Sequence, residues 1–128
     1  MVMEPQEYLE IACKIAEVID KGQTSIPVDK LKEPWIRTAI SRSYYSAFLK
    51  ARRKTSLEHE ETAKVHSMVI NKLREKGYYQ TANRLAELRN LRNNADYDTH
   101  LTITIQKLKW AISTAKYIHQ ALEIIPMD

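Results

Sequence analysis

The sequence predicts an all-α fold: an antiparallel four-helix bundle with one additional short or peripheral helix. Three observations carry that expectation. Only two glycines and four prolines occur in 128 residues, apolar positions recur three and four residues apart along most of the chain, and the connections left between those stretches are short. A single domain, residues 1–128, accounts for the whole length. Hydrophobic residues make up 44% of it, which fills one core, while the chain is too short for two.

The first helix is expected over Pro5 to Lys21. Its apolar stripe is Tyr8, Ile11, Ala12, Ile15, Val18 and Ile19, with Pro5 suited to the first turn and Gly22 to the stop. Cys13 projects roughly opposite that stripe, as a partly exposed thiol or one touching a second surface. Gln23 to Asp29 reads as a loop, with Ser25 and Pro27 as breakers. Trp35, Ile36, Ala39, Ile40, Ala47, Phe48 and Ala51 then carry a long second helix to about Lys54. Its middle, Ser41-Arg42-Ser43-Tyr44-Tyr45-Ser46-Ala47, sets small residues beside two tyrosines whose hydroxyls need polar partners if buried.

The third helix is expected from about Glu60 to Lys76, with Val65, Val69 and Leu73 as its stripe, His66 at the border and Gly77 as its end. The fourth spans about Tyr79 to Asn94. The fifth, about Leu101 to Ile125, places Leu101, Ile105, Leu108, Ile112, Ala115 and Leu122 at alternating intervals of four and three, with His119 in the remaining slot. Thr102-Ile103-Thr104-Ile105 alternates like a strand, but the longer period favours helix. Trp110 and Tyr117 lie off that stripe and suggest a second buried face, one that a dimer would supply.

The formal charge is +4, with the acidic residues Glu4, Glu7, Glu10, Glu17 and Asp20 gathered at the start and the basic excess later. Charge alone therefore does not argue for nucleic acid. One cysteine, Cys13, excludes an internal disulfide and fits a reducing compartment. No apolar run reaches membrane-spanning length, and the amino terminus lacks the blocks of a signal peptide, so the expected location is cytoplasmic, with no membrane partner. The four histidines, His59, His66, His100 and His119, form no pair three or four residues apart, so neither a metal nor another cofactor is expected. Gly22 and Gly77 stand alone, which leaves no glycine loop for phosphates, and no serine sits in a nucleophile-turn motif.

The densest chemistry lies in Leu88-Arg89-Asn90-Leu91-Arg92-Asn93-Asn94-Ala95-Asp96-Tyr97-Asp98. Leu85, Leu88, Arg92 and Ala95 fall at i, i+3, i+7 and i+10, so Arg92 faces inward and needs a partner. Asp96, one turn on, supplies it as a structural ion pair, and Arg89, Asn93 and Asp96 share an adjacent strip.

Ser41 to Phe48 together with Leu88 to Tyr97 resembles the HEPN domain, and more narrowly its small prokaryotic UPF0332-type branch; Val65-His66-Ser67-Met68-Val69-Ile70 is similar to the His-centred stretch that the branch carries between those motifs. The resemblance covers nearly the whole chain. It implies a homodimer in which the Arg-Asn motifs of two subunits meet in a cleft, metal-independent ribonuclease activity in many members, and a minimal nucleotidyltransferase partner acting as antitoxin.

Carried over by position, Arg92 is the motif arginine and Asn93 its companion. The histidine expected four to six residues after that arginine is absent, and Tyr97 stands in its place. Tyrosine, with a pKa of about 10, does not exchange protons near neutral pH without strong perturbation, so either His66 or His100 reaches the cleft or the domain binds without cutting. The catalytic candidates are thus Arg92, Asn93, Tyr97 and His66, and the nucleic-acid contacts Arg89, Arg92, Arg42 and Tyr45. Two functional classes follow: a module that binds RNA or a nucleotide-bearing partner in a toxin-antitoxin or defence system, and a non-catalytic dimeric scaffold for protein interaction.

Overall fold

The computed structural model describes residues 4–21 and 28–126, which form five helices and no strand. These are α1 (Pro5–Lys21), α2 (Val28–Lys54), α3 (Val65–Glu75), α4 (Tyr79–Tyr97) and α5 (Ile105–Glu123). Contacts of α1 with α2, α2 with α4, α4 with α5 and α5 with α1 close a ring of four helices, and α2 also crosses to α5. The short α3 packs at the edge against α4 and α2. The chain is therefore an all-helical bundle built around α2, which touches every other helix.

Burial explains the arrangement. Ile36, Ala39, Ile40, Tyr44, Ala47, Phe48 and Ala51 of α2 meet Leu85 and Leu88 of α4 and Leu108, Ala115, Ile118 and Leu122 of α5 in one continuous core. Alanines at the crossings allow backbones to approach closely, and the larger aliphatic side chains fill what remains. Among the described residues no helix is long and apolar enough to cross a membrane.

Several boundaries differ from the periodicity. On α1 the buried positions are Pro5, Leu9, Ala12, Ala16 and Ile19, while Ile11 is exposed and Tyr8, Ile15 and Val18 are half-buried. The stripe is rotated from the expected one, and Cys13 flanks it, half-buried against the core. Helix α2 begins at Val28, so Val28 and Asp29 are helical rather than loop, and Pro34 lies inside the helix. As the seventh residue of α2, Pro34 forgoes one i→i−4 hydrogen bond. Gly22 and the remainder of the expected loop lie outside the described residues.

Helix α3 begins at Val65, not Glu60. The preceding segment turns instead, with Ser56 at positive φ and Arg52 donating to the carbonyls of Leu57 (2.8 Å) and Glu60 (2.5 Å). Gly77, at φ +90, follows the end of α3, a left-handed backbone that favours glycine. At the other end of the chain Thr102 to Thr104 are not helical: Thr104 is extended and caps α5 by accepting from the Lys107 N–H, with Ile103 buried just ahead of it. An N-terminal threonine cap stops the helix at that point despite the apolar register. Leu101, expected on the α5 stripe, is consequently exposed.

Candidate functional site

The site grows from one turn of α4 laid against the middle of α2. Leu85, Leu88, Arg92 and Ala95 are all buried, so Arg92 is drawn into the core on the same arc as two leucines and an alanine. Its guanidinium carbon lies 4.9 Å from the ring centre of Tyr44 and 5.3 Å from that of Tyr45. Such cation–π contacts contribute roughly 0.5–2 kcal/mol, more where water is excluded. Asp96, one turn on, approaches Arg92 Nη1 at 3.6 Å and accepts from the Ser41 hydroxyl at 3.3 Å. Arg92 is only 6% exposed.

That coordination is incomplete. The Nε atoms of both Arg92 and Arg89 are buried with no hydrogen-bond partner. An unpaired buried donor on a charged group costs about 1–3 kcal/mol or more, so such a group marks either strain or a place where a partner binds.

Helix α3 adds His66. Its Nδ1 lies 2.6 Å from the Tyr44 hydroxyl, and its ring stacks on Phe48 with centroids 4.2 Å apart. Burial, then the cations Arg89, Arg92 and Arg52, push the imidazole down to about 4. Burial also raises the Tyr44 phenol well above its ordinary range, against the opposing pull of Arg89 and Arg92. Both groups are neutral at pH 7. The phenol O–H therefore donates, Nδ1 accepts, and the imidazole proton sits on Nε2. A histidine held this way is a hydrogen-bond donor with little capacity to take a proton near neutrality.

The expected site residues divide. Arg92, Arg89, Tyr45 and His66 come together, joined by Tyr44, Ser41 and Phe48. Arg42 instead lies against the Tyr8 ring of α1, at 6.0 Å. Asn93 and Tyr97 line a separate recess with Asn94, Asp98, Thr99 and His100, and Tyr97 is 75% exposed. Among the described residues no group of three His, Cys, Asp or Glu side chains is placed to hold a metal ion.

Two further features escaped the sequence. Arg37 of α2 ties down the end of α4 by donating to the carbonyls of Asn94 (3.2 Å), Ala95 (3.0 Å), Asp98 (2.8 Å) and Leu101, and pairs with Glu33, which in turn accepts from the Ile103 N–H. This clamp fixes the turn that carries Asp96. Its only legible trace is the i, i+4 spacing of Glu33 and Arg37. Secondly, His119, which the α5 spacing already placed on the inward stripe, is bonded to Ser46, and Lys50 donates to the His119 carbonyl and to Glu123, links that the spacing does not show. Trp110 and Tyr117, read from the sequence as a face that a dimer would cover, are 38% and 40% exposed in the single chain, in a groove of about 510 Å³ between α4 and α5.

In comparisons with known proteins, no family model, no curated protein and no solved structure matches the chain.

Proposed function

We propose that this chain is a HEPN-type module that binds RNA or a nucleotide-bearing partner through phosphate oxygens, within a toxin-antitoxin or defence system that includes a minimal nucleotidyltransferase. The observation that carries the reading is Arg92: a buried guanidinium, steadied by Asp96 and two tyrosine faces, whose Nε has no partner, with the half-buried Arg89, its Nε likewise unpartnered, one turn before it. Guanidinium to phosphate is a strong, directional pairing. His66 Nε2 adds a neutral donor, and Asp96 is a positioning residue that holds Arg92.

Binding is supported more strongly than cleavage. An imidazole lowered to about 4 and engaged by Tyr44 is poorly suited to take the 2′-hydroxyl proton at pH 7. The narrower ribonuclease form of the proposal, which relies on Arg92 with His66 and gives Asn93 and Tyr97 a part from the neighbouring recess, is metal-independent. Incubation of the purified protein with mixed structured and single-stranded RNA, with and without chelator, tests both forms. Retention that weakens steeply with salt and is lost in Arg92→Ala is the expected result. Cleavage that survives chelator and disappears in Arg92→Ala would establish the nuclease. Absence of both retention and cleavage would favour the second reading, a dimeric interaction scaffold, for which the exposed Trp110 and Tyr117 offer a surface.

A further inference from the structure

The side of α4 turned away from Arg92 carries a pattern of its own. Gln80, Arg84, Glu87, Leu91 and Asn94 recur at alternating intervals of four and three, so they share one face of the helix. Three recesses run end to end along that face. The groove between α4 and α5 is lined by Gln80, Asn83 and Glu87 together with Tyr117 and Trp110. The next recess shares Glu87 and Trp110 with it and continues to Asn94, and the third shares Asn94 and ends at Tyr97 and His100. From Gln80 to Tyr97 the helix rises about 26 Å, at roughly 1.5 Å per residue.

The lining selects an occupant. Four aromatic side chains are exposed among the described residues, and three of them, Tyr97, Trp110 and Tyr117, border this track. The Tyr117 hydroxyl donates to Gln80 at 3.2 Å, which holds that ring in place. Amides, hydroxyls and charged groups make up the rest, and Leu91 is the only aliphatic side chain in the lining. A groove for a partner helix or a second copy of the chain needs a continuous apolar floor, which is missing here. The side-chain amides of Asn90, Asn93 and Asn94 are engaged by no other described residue. Aromatic faces and free amides along one line suit unpaired bases, which stack on the first and bond through their edges to the second. Charge along the track is balanced, since Glu87 is paired with Arg84 at 3.3 Å and Lys107 offsets Asp98. Bases rather than phosphates therefore meet this wall.

The geometry points to a binding track for single-stranded RNA along α4 and α5, in which Tyr97, Trp110 and Tyr117 stack unpaired bases and the asparagine amides read their edges. The inference rests on the RNA-binding part of the proposed function, not on the Arg92 cluster. Affinities are measured for a short unstructured RNA and for the same strand annealed to its complement. The wild-type protein is compared with Tyr97→Ala, Tyr97→Phe, Trp110→Ala and Arg92→Ala, each checked by thermal melting. Tyr97 is 75% exposed, so its replacement leaves the core untouched.

The wild type is expected to prefer the single strand by about tenfold. Tyr97→Ala and Trp110→Ala should each weaken that binding by about fivefold or more, while Tyr97→Phe, which keeps the stacking face, retains it. Equal affinity for strand and duplex, or full affinity in Tyr97→Ala, would overturn the track, and loss of binding in Arg92→Ala alone would leave the RNA-binding reading standing without it. Failure of the wild type to bind either RNA would remove both. Trp110→Ala that keeps full RNA affinity and splits a dimer in sedimentation would also overturn the track and assign this face to a second copy of the chain.

Discussion

Arg37 and Arg92 are both arginines held against the C-terminal half of α4, yet they are bonded in opposite ways. Arg37 reaches across from α2 and places its donors on backbone carbonyls at the helix end and on the Glu33 carboxylate. Arg92 rises from α4 itself into aromatic faces, with one carboxylate at 3.6 Å and a buried Nε left over. The first is a completed joint, since helix-terminal carbonyls lack intrahelical donors and a cation there also complements the helix dipole. The second is charged, buried and incompletely bonded. Residue type and burial do not separate structure from function here; the fate of the donors does.

The largest expected effect breaks that comparison directly. Arg37→Ala leaves several carbonyls at the end of α4 without donors and should cost about 2–4 kcal/mol of stability, read from denaturant midpoints. The double change Arg92→Met with Asp96→Leu removes both partners of the ion pair together, so its cost should stay below that of Arg37→Ala while RNA retention is lost. If the double change proves the more destabilising and retention survives, Arg92 is the structural arginine.

A smaller effect concerns the half-buried His66 and the buried His119. Burial lowers both imidazoles from the ordinary 6.5, helped at His66 by Arg89, Arg92 and Arg52 and at His119 by Lys50, against the opposing influence of Ser46 and Glu123. The folded chain thus prefers both neutral. As pH falls below about 6.5 the unfolded chain takes up these protons first, so their stabilising contribution, complete above that value, declines, at His66 down to about pH 4. His66→Gln should flatten the part of that decline due to His66, measured by thermal melts from pH 7 to pH 4. A decline unchanged in His66→Gln would mean that His66 carries none of it.

Much of the fold was legible because helical periodicity survives small errors of phase. Leu85, Leu88, Arg92 and Ala95 marked the inward arc of α4, and Asp96 was readable as the partner of Arg92 from spacing alone. The rotated stripe of α1 was not readable: Leu9 and Ala16 compete with Tyr8, Ile11 and Ile15 for one face, and only the neighbouring helices decide. The starts of α3 and α5 depended on a turn held by Arg52 and on the Thr104 cap, both of which override apolar register. The site was half legible. Arg92 and His66 stood out singly, but the Tyr44 bond that joins His66 to α2 spans 22 residues, and the Arg37 clamp spans 57 or more to backbone atoms that carry no sequence signal.

The most direct test of the central claim, that the Arg92 cluster is an anion site, is to follow the His66 and His119 imidazoles by NMR while a short phosphorylated RNA is added. The account predicts that His66 resonances shift and saturate with the RNA while those of His119, enclosed with Ser46 and Lys50, stay in place. An RNA that binds without moving His66, or that moves His119 as much, would contradict it.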